Sequence, residues 1–345
     1  MRMTNRAVRW AAVMLAVPAF VVAIGAQAVD NDVHVVPVQG NIYMITGAGS
    51  NITVQIGPPA AQRPRLPASA QERGEYGVLL VDTGAAAASD KVRAAIRTLS
   101  TEPIRYIIST HMHADHVGGN APLGTPPAGR GGRGGGPMAL ILGHETVLAR
   151  MSENEGDQPV FPQPAWPTDA YLDIKEFWFN DESLQVFHQP GHTDGDSVVY
   201  FRRSDVVSAG DVFITTSYPV IDQQRGGSVN GVIAGLNRIL DLTIVSNNAE
   251  GGTLVIPGHG RISDEADVVE YRNMIVMIRD RVQDLLKKGM TLEQVKAARP
   301  SLDYDTRYGK GADGWNTDKF LEAVYADLAK AMPKPAAGKP QPQRR

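Results

Sequence analysis

The chain has 345 residues, 43% of them apolar and 21% charged, the balance of an ordinary globular protein long enough to bury a sizeable core. Its formal net charge is −3 and it contains no cysteine. The charge argues against nucleic acid as the main partner, because phosphate binding relies on clustered Lys and Arg, and the lack of Cys excludes disulfides, thiolate metal ligands and thiol catalysis.

Residues 1–28 read as a secretory signal. Arg2, Arg6 and Arg9 precede an apolar run over 10–25, and Ala26-Gln27-Ala28 is a small-x-small cleavage site. The run is short for a membrane span. Cleavage removes three arginines and no acid, which takes the charge from −3 to −6. The expectation is a periplasmic or secreted protein with no membrane association after processing.

The stretch VHVVPVQGNIYMITGAGSNITVQIG is β-branched and broken by Gly and Asn, which predicts two or three antiparallel strands. A polar, Pro-rich excursion covers 58–76. GVLLVDTG predicts a buried strand ending in a turn, SDKVRAAIRTLS a helix capped by Ser89 with Val92, Ile96 and Leu99 on one face, and PIRYIIST a second buried strand. The order strand, helix, strand, then a loop at the strand's carboxyl end is an α/β arrangement that places chemistry in that loop.

Residues 122–137 are Gly-rich and read as a flexible insertion. A strand over 138–142 and a short helix from Glu145 follow, and 160–171 carries prolines and aromatics suited to a pocket wall or to core packing. SLQVFHQPG, DSVVYF, DVVSAGDVF and GTLVIPGHG are strands running into turns. From Ser263 the pattern is helical, with Val268, Met274, Ile275, Ile278, Val282, Leu285 and Leu286 on one face and a Thr291-x-x-Gln294 capping box opening a later helix. The tail from 333 is polar and Pro-rich, a composition that does not build a core.

The chemistry concentrates in STHMHADHVGG, which places His111, His113, Asp115 and His116 within six residues. His111 and His113, two apart, point the same way from an extended strand end, and Asp115 and His116 follow in a turn. Imidazoles and carboxylates in such numbers suit a metal better than a fold. His192, Asp211 and His259 each follow a glycine at a strand end, where glycine permits turns that aim a side chain inward. His34, His144 and His188 lie outside such turns. Asp82, closing an earlier strand, is either a plain turn residue or one that orients the metal-bearing loop. Tyr218, seven residues past Asp211, is either a donor to a developing oxyanion or a buried structural residue.

Across 33–262 the chain resembles the metallo-β-lactamase superfamily of metal-dependent hydrolases, with LLVDTG, THMHADHVGG, PGHTDGD, AGDVF and IPGHG in the family's order. The resemblance implies an α/β fold, an αββα sandwich over 29–262, followed here by a helical extension over 263–332. It implies a first metal held by His111, His113 and His192, a second by Asp115, His116 and His259, and Asp211 bridging both. The implied cofactor is two Zn²⁺, with Fe or Mn also accommodated by His and Asp ligands. The implied reaction is attack of a hydroxide shared by the metals on the carbonyl of a small molecule, a β-lactam, lactone, ester or thioester, with Asp115 orienting the nucleophile.

Departures narrow the field. The lack of Cys sets aside β-lactamases with Cys at the second metal, and Asp211 is more like the thioesterases of the glyoxalase II type and the lactonases. Flavin-linked di-iron relatives carry Glu where His113 stands, and RNA-processing relatives fit poorly with export and an acidic surface. A β-lactamase proper, a mono-iron oxygenase acting on a sulfur compound and a non-catalytic metal-binding module are the alternatives.

Overall fold

The computed structural model describes residues 32–63, 76–125, 138–153, 161–243 and 252–331. The signal reading over 1–28, the tail over 333–345, and most of the Pro-rich and Gly-rich segments fall outside the described residues. Among the described residues, no helix is long and apolar enough to cross a membrane.

Two sheets are stacked. The first has seven strands in sequence order: β1 (His34–Gln39), β2 (Ile42–Ala48), β3 (Ser50–Ile56), β4 (Val78–Val81), β5 (Ile104–Ser109), β6 (Leu140–His144) and β7 (Asp169–Tyr171). β1 to β4 pair antiparallel, with hairpin-length connections between β1, β2 and β3 and a longer one before β4, and β4 to β7 pair parallel. The second sheet runs β12 (Leu254–Ile256), β11 (Val206–Ser208), β10 (Ser197–Phe201), β9 (Glu182–His188), β8 (Ile174–Phe179), antiparallel except for the parallel pair β11 and β12.

Period-two alternation divides the apolar residues between layers. Leu79 and Val81 of β4, Ile108 of β5 and Val199 and Phe201 of β10 fill the space between the sheets. Their neighbours Val78, Leu80 and Ile107 turn outward onto α1 (Ser89–Leu99), which buries Val92 and Ile96. Ser89 does not cap this helix, because it is already its first residue and its hydroxyl donates to Ala86 O at 2.8 Å.

On the far side, Val198 and Val207 pack under α5 (Val229–Thr243), α6 (Glu265–Lys287) and α9 (Thr317–Ala331). These follow α2 (Ala114–Val117), α3 (Asn120–Gly124) and α4 (Glu145–Ser152), with α7 (Leu292–Ala298) and α8 (Asp305–Tyr308) between α6 and α9. The architecture is the expected αββα sandwich with C-terminal helices. The Thr291–Gln294 capping box is present at the start of α7. The sequence reading registers no element where α5 lies, although Val229, Val232, Ile233, Leu236 and Ile239 have helical spacing and are buried.

Parallel pairing fixes the position of the site. β4 and β5 end at the same sheet edge, as do β11 and β12 in the other sheet, so Asp82, the 111–116 loop, Asp211 and His259 leave their strands side by side. Asn51 joins the two edges: its N–H donates to Gly258 O at 2.8 Å, and its amide to Pro257 O and Gly260 O at 2.9 and 3.0 Å.

Candidate metal centre

Every expected ligand converges on this edge. His113 has extended backbone and precedes α2, whose single turn carries Asp115 and His116 on adjacent positions. The β9–β10 turn brings in His192, with the buried Asp196 carboxylate accepting from Gly191 N, Thr193 N and the Thr193 hydroxyl to hold that turn. Asp211 follows Gly210, which has φ +51°, and Gly258 leaves the carboxylate its room, since a Cβ there would lie 2.0 Å from Asp211 Oδ1.

Three groups have ligand atoms close enough to share an ion: His111, His113 and His192; His111, His116 and Asp211; Asp115, His116 and His259. Asp211 faces both sides. Its Oδ2 is 3.7 Å from His192 Nε2, and its Oδ1 is 3.3 Å from His116 Nε2 and 3.5 Å from His259 Nε2. Asp115 Oδ2 is 3.2 Å from His259 Nε2. These two side chains are the open side of the group, 41% and 28% exposed, whereas His111 and His116 are completely buried.

The far nitrogens are engaged. His116 Nδ1 meets Asp82 Oδ2 at 2.8 Å, His192 Nδ1 meets Val220 O at 2.8 Å, His113 Nε2 meets Asp222 Oδ2 at 3.0 Å, and His111 Nδ1 meets Thr110 Oγ1 at 3.1 Å. A ring nitrogen facing a carbonyl or carboxylate carries the proton, which fixes the tautomer and leaves the inward nitrogen a lone pair. The inward His113 Nδ1 and His192 Nε2 lie only 2.8 Å apart. Two lone pairs at that separation repel unless a cation or proton sits between them. His111 Nε2, His116 Nε2 and Asp211 Oδ1 are buried without a hydrogen bond, a costly state that a metal ion relieves. By that test the residues fit metal.

Electrostatics agree with the donor set. Burial and the neighbouring His116, His192 and His113 push the His111 pKa well down, so the ring is a neutral ligand. Burial works against ionisation of Asp211, yet the charges of His116 and His259 hold its carboxyl well below the usual range. Burial likewise opposes ionisation of Asp115, but the His259 hydrogen bond and the His116 charge outweigh it and bring the carboxyl to about 2.

Asp82 is more than a turn residue. It sits at φ +63°, and its carboxylate accepts from Thr110 N and Oγ1, each at 2.8 Å, as well as meeting His116. Tyr218 requires a correction as a candidate for substrate binding. Its ring is fully buried, stacked on Phe320 at 4.5 Å, and its hydroxyl donates towards Ser301 O and Asp305 Oδ1. It belongs to the helical core and cannot reach an oxyanion at the cluster.

Asp222 was not among the sequence candidates, although it supports His113 directly. Its carboxylate also accepts from Gln224 N and Arg225 N and pairs with Arg225. The local signal was a turn signature, an Asp four residues ahead of Gly226-Gly227, which reads as loop chemistry.

A family model described as the metallo-beta-lactamase superfamily matches residues 72–259. The chain is 23% identical over 253 residues to a linear primary-alkylsulfatase of Pseudomonas sp., covering 64% of this chain and 47% of that protein. It is 29% identical over 114 residues to a hydroxyacylglutathione hydrolase of Pelagibacter ubique, covering 32% and 37%. The chain therefore spans less than half the length of either relative. Among solved structures, the stereoselective inverting sec-alkylsulfatase Pisa1 from Pseudomonas sp. superposes with a TM-score of 0.53 at 15% identity, over 88% of this chain and 52% of that one, a likeness of fold.

Proposed function

The chain belongs to the metallo-β-lactamase superfamily, and from that membership we propose that it is an exported, dinuclear zinc hydrolase that opens a carbonyl bond in a small molecule. The observation that carries the reading is the two-sided Asp211, with one oxygen towards His192 and the other towards His116 and His259. A single-iron oxygenase, the alternative chemistry on this fold, has no use for a carboxylate shared in that way.

His111, His113 and His192 would hold one ion, Asp115, His116 and His259 the other, and Asp211 both. Bound there, paired zinc ions supply Lewis acidity and lower the pKa of water to about 7. The chain's own groups do the rest. Asp82, Val220 and Asp222 hold imidazole protons outward so that the inward nitrogens stay basic. Asp115, ionised and on the open side, accepts a hydrogen bond from the attacking water and so orients it. The buried His111 and Asp211 exclude bulk water beneath the reacting atoms, where low dielectric strengthens every charge interaction. Export rests on the signal pattern of residues 1–28.

Similarity to an alkylsulfatase over 253 residues favours a second reading, cleavage of a sulfate ester at the same centre. The test is turnover of a chromogenic cephalosporin, a lactone, a thioester and para-nitrophenyl sulfate by the zinc-loaded protein, with and without chelator. The primary reading expects chelator-sensitive kcat/KM of about 10⁴ M⁻¹s⁻¹ or more on a carbonyl substrate. Turnover confined to the sulfate moves the assignment to the second reading. One bound iron, oxygen uptake and no hydrolysis would overturn both.

A further inference from the structure

Beside the metal centre, a cleft of about 360 Å³ is lined by Thr46, Asn51, Thr216, His259 and Lys310. His259 forms one wall, so the cleft adjoins the open side of the centre. Apart from that imidazole, Lys310 is the only ionisable side chain among the described residues of its lining. The ammonium is exposed, and no carboxylate pairs with it among the described residues. The Thr46 and Thr216 hydroxyls likewise have no hydrogen bond within the described residues, whereas the Ser50 hydroxyl donates to Asp115 O at 2.7 Å. Gly260, also in the lining, has φ +106° and packs so closely on Thr215 that a Cβ there would lie 1.9 Å from Thr215 Oγ1.

The position of Lys310 is built rather than incidental. It comes from the far C-terminal segment; two hydrogen bonds to Tyr218 fasten that segment beside the stretch that follows Asp211, and two more close the segment on itself. Tyr218 N donates to Tyr308 O at 2.9 Å, and Thr317 N to Gly309 O at 3.3 Å. Gly311 N donates to Trp315 O at 2.8 Å, and Trp315 Nε1 to Tyr218 O at 3.2 Å. The burial of Tyr218, which removes it from the chemistry, anchors the loop that delivers the lysine.

An unpaired ammonium with two free hydroxyls, next to a centre that activates water, has the donor set of an oxyanion receptor. A cleft of this size takes one arm of a small molecule. We propose that the substrate carries an anionic oxyacid group, a carboxylate or sulfate, beside its scissile bond, and that Lys310 binds it. This deepens the hydrolase reading and rests on it.

The test uses the zinc-loaded full chain, Lys310→Met and Lys310→Arg, with metal content and thermal midpoint measured for each. The substrates are the para-nitrophenyl monoester of succinic acid and para-nitrophenyl butanoate, which differ in the terminal carboxylate. The wild type prefers the acid. Lys310→Met lowers the acid-to-neutral ratio of kcat/KM by about tenfold, mostly through KM, as loss of a charge-assisted hydrogen bond requires, and Lys310→Arg restores it. An unchanged ratio with full metal content overturns the inference. If the wild type hydrolyses neither ester with chelator sensitivity, the ester reading fails, and equilibrium dialysis decides the lysine separately. Succinate or inorganic sulfate retained by the wild type and lost by Lys310→Met supports the inference and tells the two oxyanions apart, whereas equal retention overturns it.

Discussion

Asp222 Oδ2 lies 3.0 Å from His113 Nε2, and the opposite nitrogen of the same ring lies 2.8 Å from His192 Nε2. The carboxylate therefore decides which His113 nitrogen is offered to a metal. Asp222→Ala should lower affinity at the position shared with His111 and His192 by about 10- to 100-fold, the usual effect of removing a carboxylate behind a ligating His. Competition with a calibrated chelator measures this. The position shared with His116 and His259 should keep its affinity, because Asp82 supports it independently. Equal weakening at both would show that Asp222 acts only on the fold.

Gly258 and Asp211 make a second relationship. A methyl group at 258 would occupy the Oδ1 position, so Gly258→Ala must displace the carboxylate without removing it. Both Gly258→Ala and Asp211→Ala should then bind less than two equivalents of zinc and lose most turnover while far-ultraviolet circular dichroism stays native. Zinc content by elemental analysis is the measure. Full occupancy and activity in Gly258→Ala would mean that Asp211 does not hold both ions.

Much of this site was legible because its residues are chemically expensive to place. His111, His113, Asp115 and His116 in one short loop, and a Gly before each of His192, Asp211 and His259, point to a shared ion before any packing is known. Asp82 was visible as a strand-end carboxylate, and its contact with His116 chose between its two readings. Asp222 and Lys310 were not legible, since each reaches the centre through tertiary contacts between segments distant in sequence, and an Asp in a turn or a Lys in a loop is ordinary locally. Tyr218 shows the opposite failing. Proximity in sequence to Asp211 suggested proximity in space, but the chain turns its ring away into the apolar core between α5, α6 and α9.

Tyr218→Phe tests that correction. It deletes the hydroxyl that meets Ser301 O and Asp305 and should lower stability by about 1–2 kcal/mol, read as a shift in urea midpoint. Turnover of the neutral ester per bound zinc should stay at the wild-type level. A large fall in kcat with unchanged stability would return the hydroxyl to the chemistry.

Metal removal should destabilise the fold as a whole. The buried His111 Nε2, His116 Nε2 and Asp211 Oδ1 have no hydrogen bond, so zinc binds the folded chain well and the unfolded chain poorly. At free zinc one hundred times its dissociation constant, linkage adds about 2.7 kcal/mol per site. Thermal scans over a zinc series should show the midpoint climbing with concentration, and a flat midpoint would deny that the cluster binds metal.

The last prediction lies away from the centre, at the stacked rings of His144 and His188, 3.5 Å apart with an interplanar angle of 8°. Burial, then the charge of His188, lowers the His144 pKa from its ordinary 6.5. Between that lowered value and 6.5 the unfolded chain binds a proton that the folded chain refuses, so stability rises with pH there. His144 thus makes its full contribution above about pH 6.5 and loses it as the pH falls. His144 Nδ1 also accepts from Thr146 N at the start of α4, a capping role that Asn can take over. His144→Asn should therefore keep the helix, and its urea midpoint should decline less than the wild type's between neutral pH and the acid side of 6.5. Parallel pH profiles for the two proteins would show that His144 titrates alike in the folded and unfolded chains.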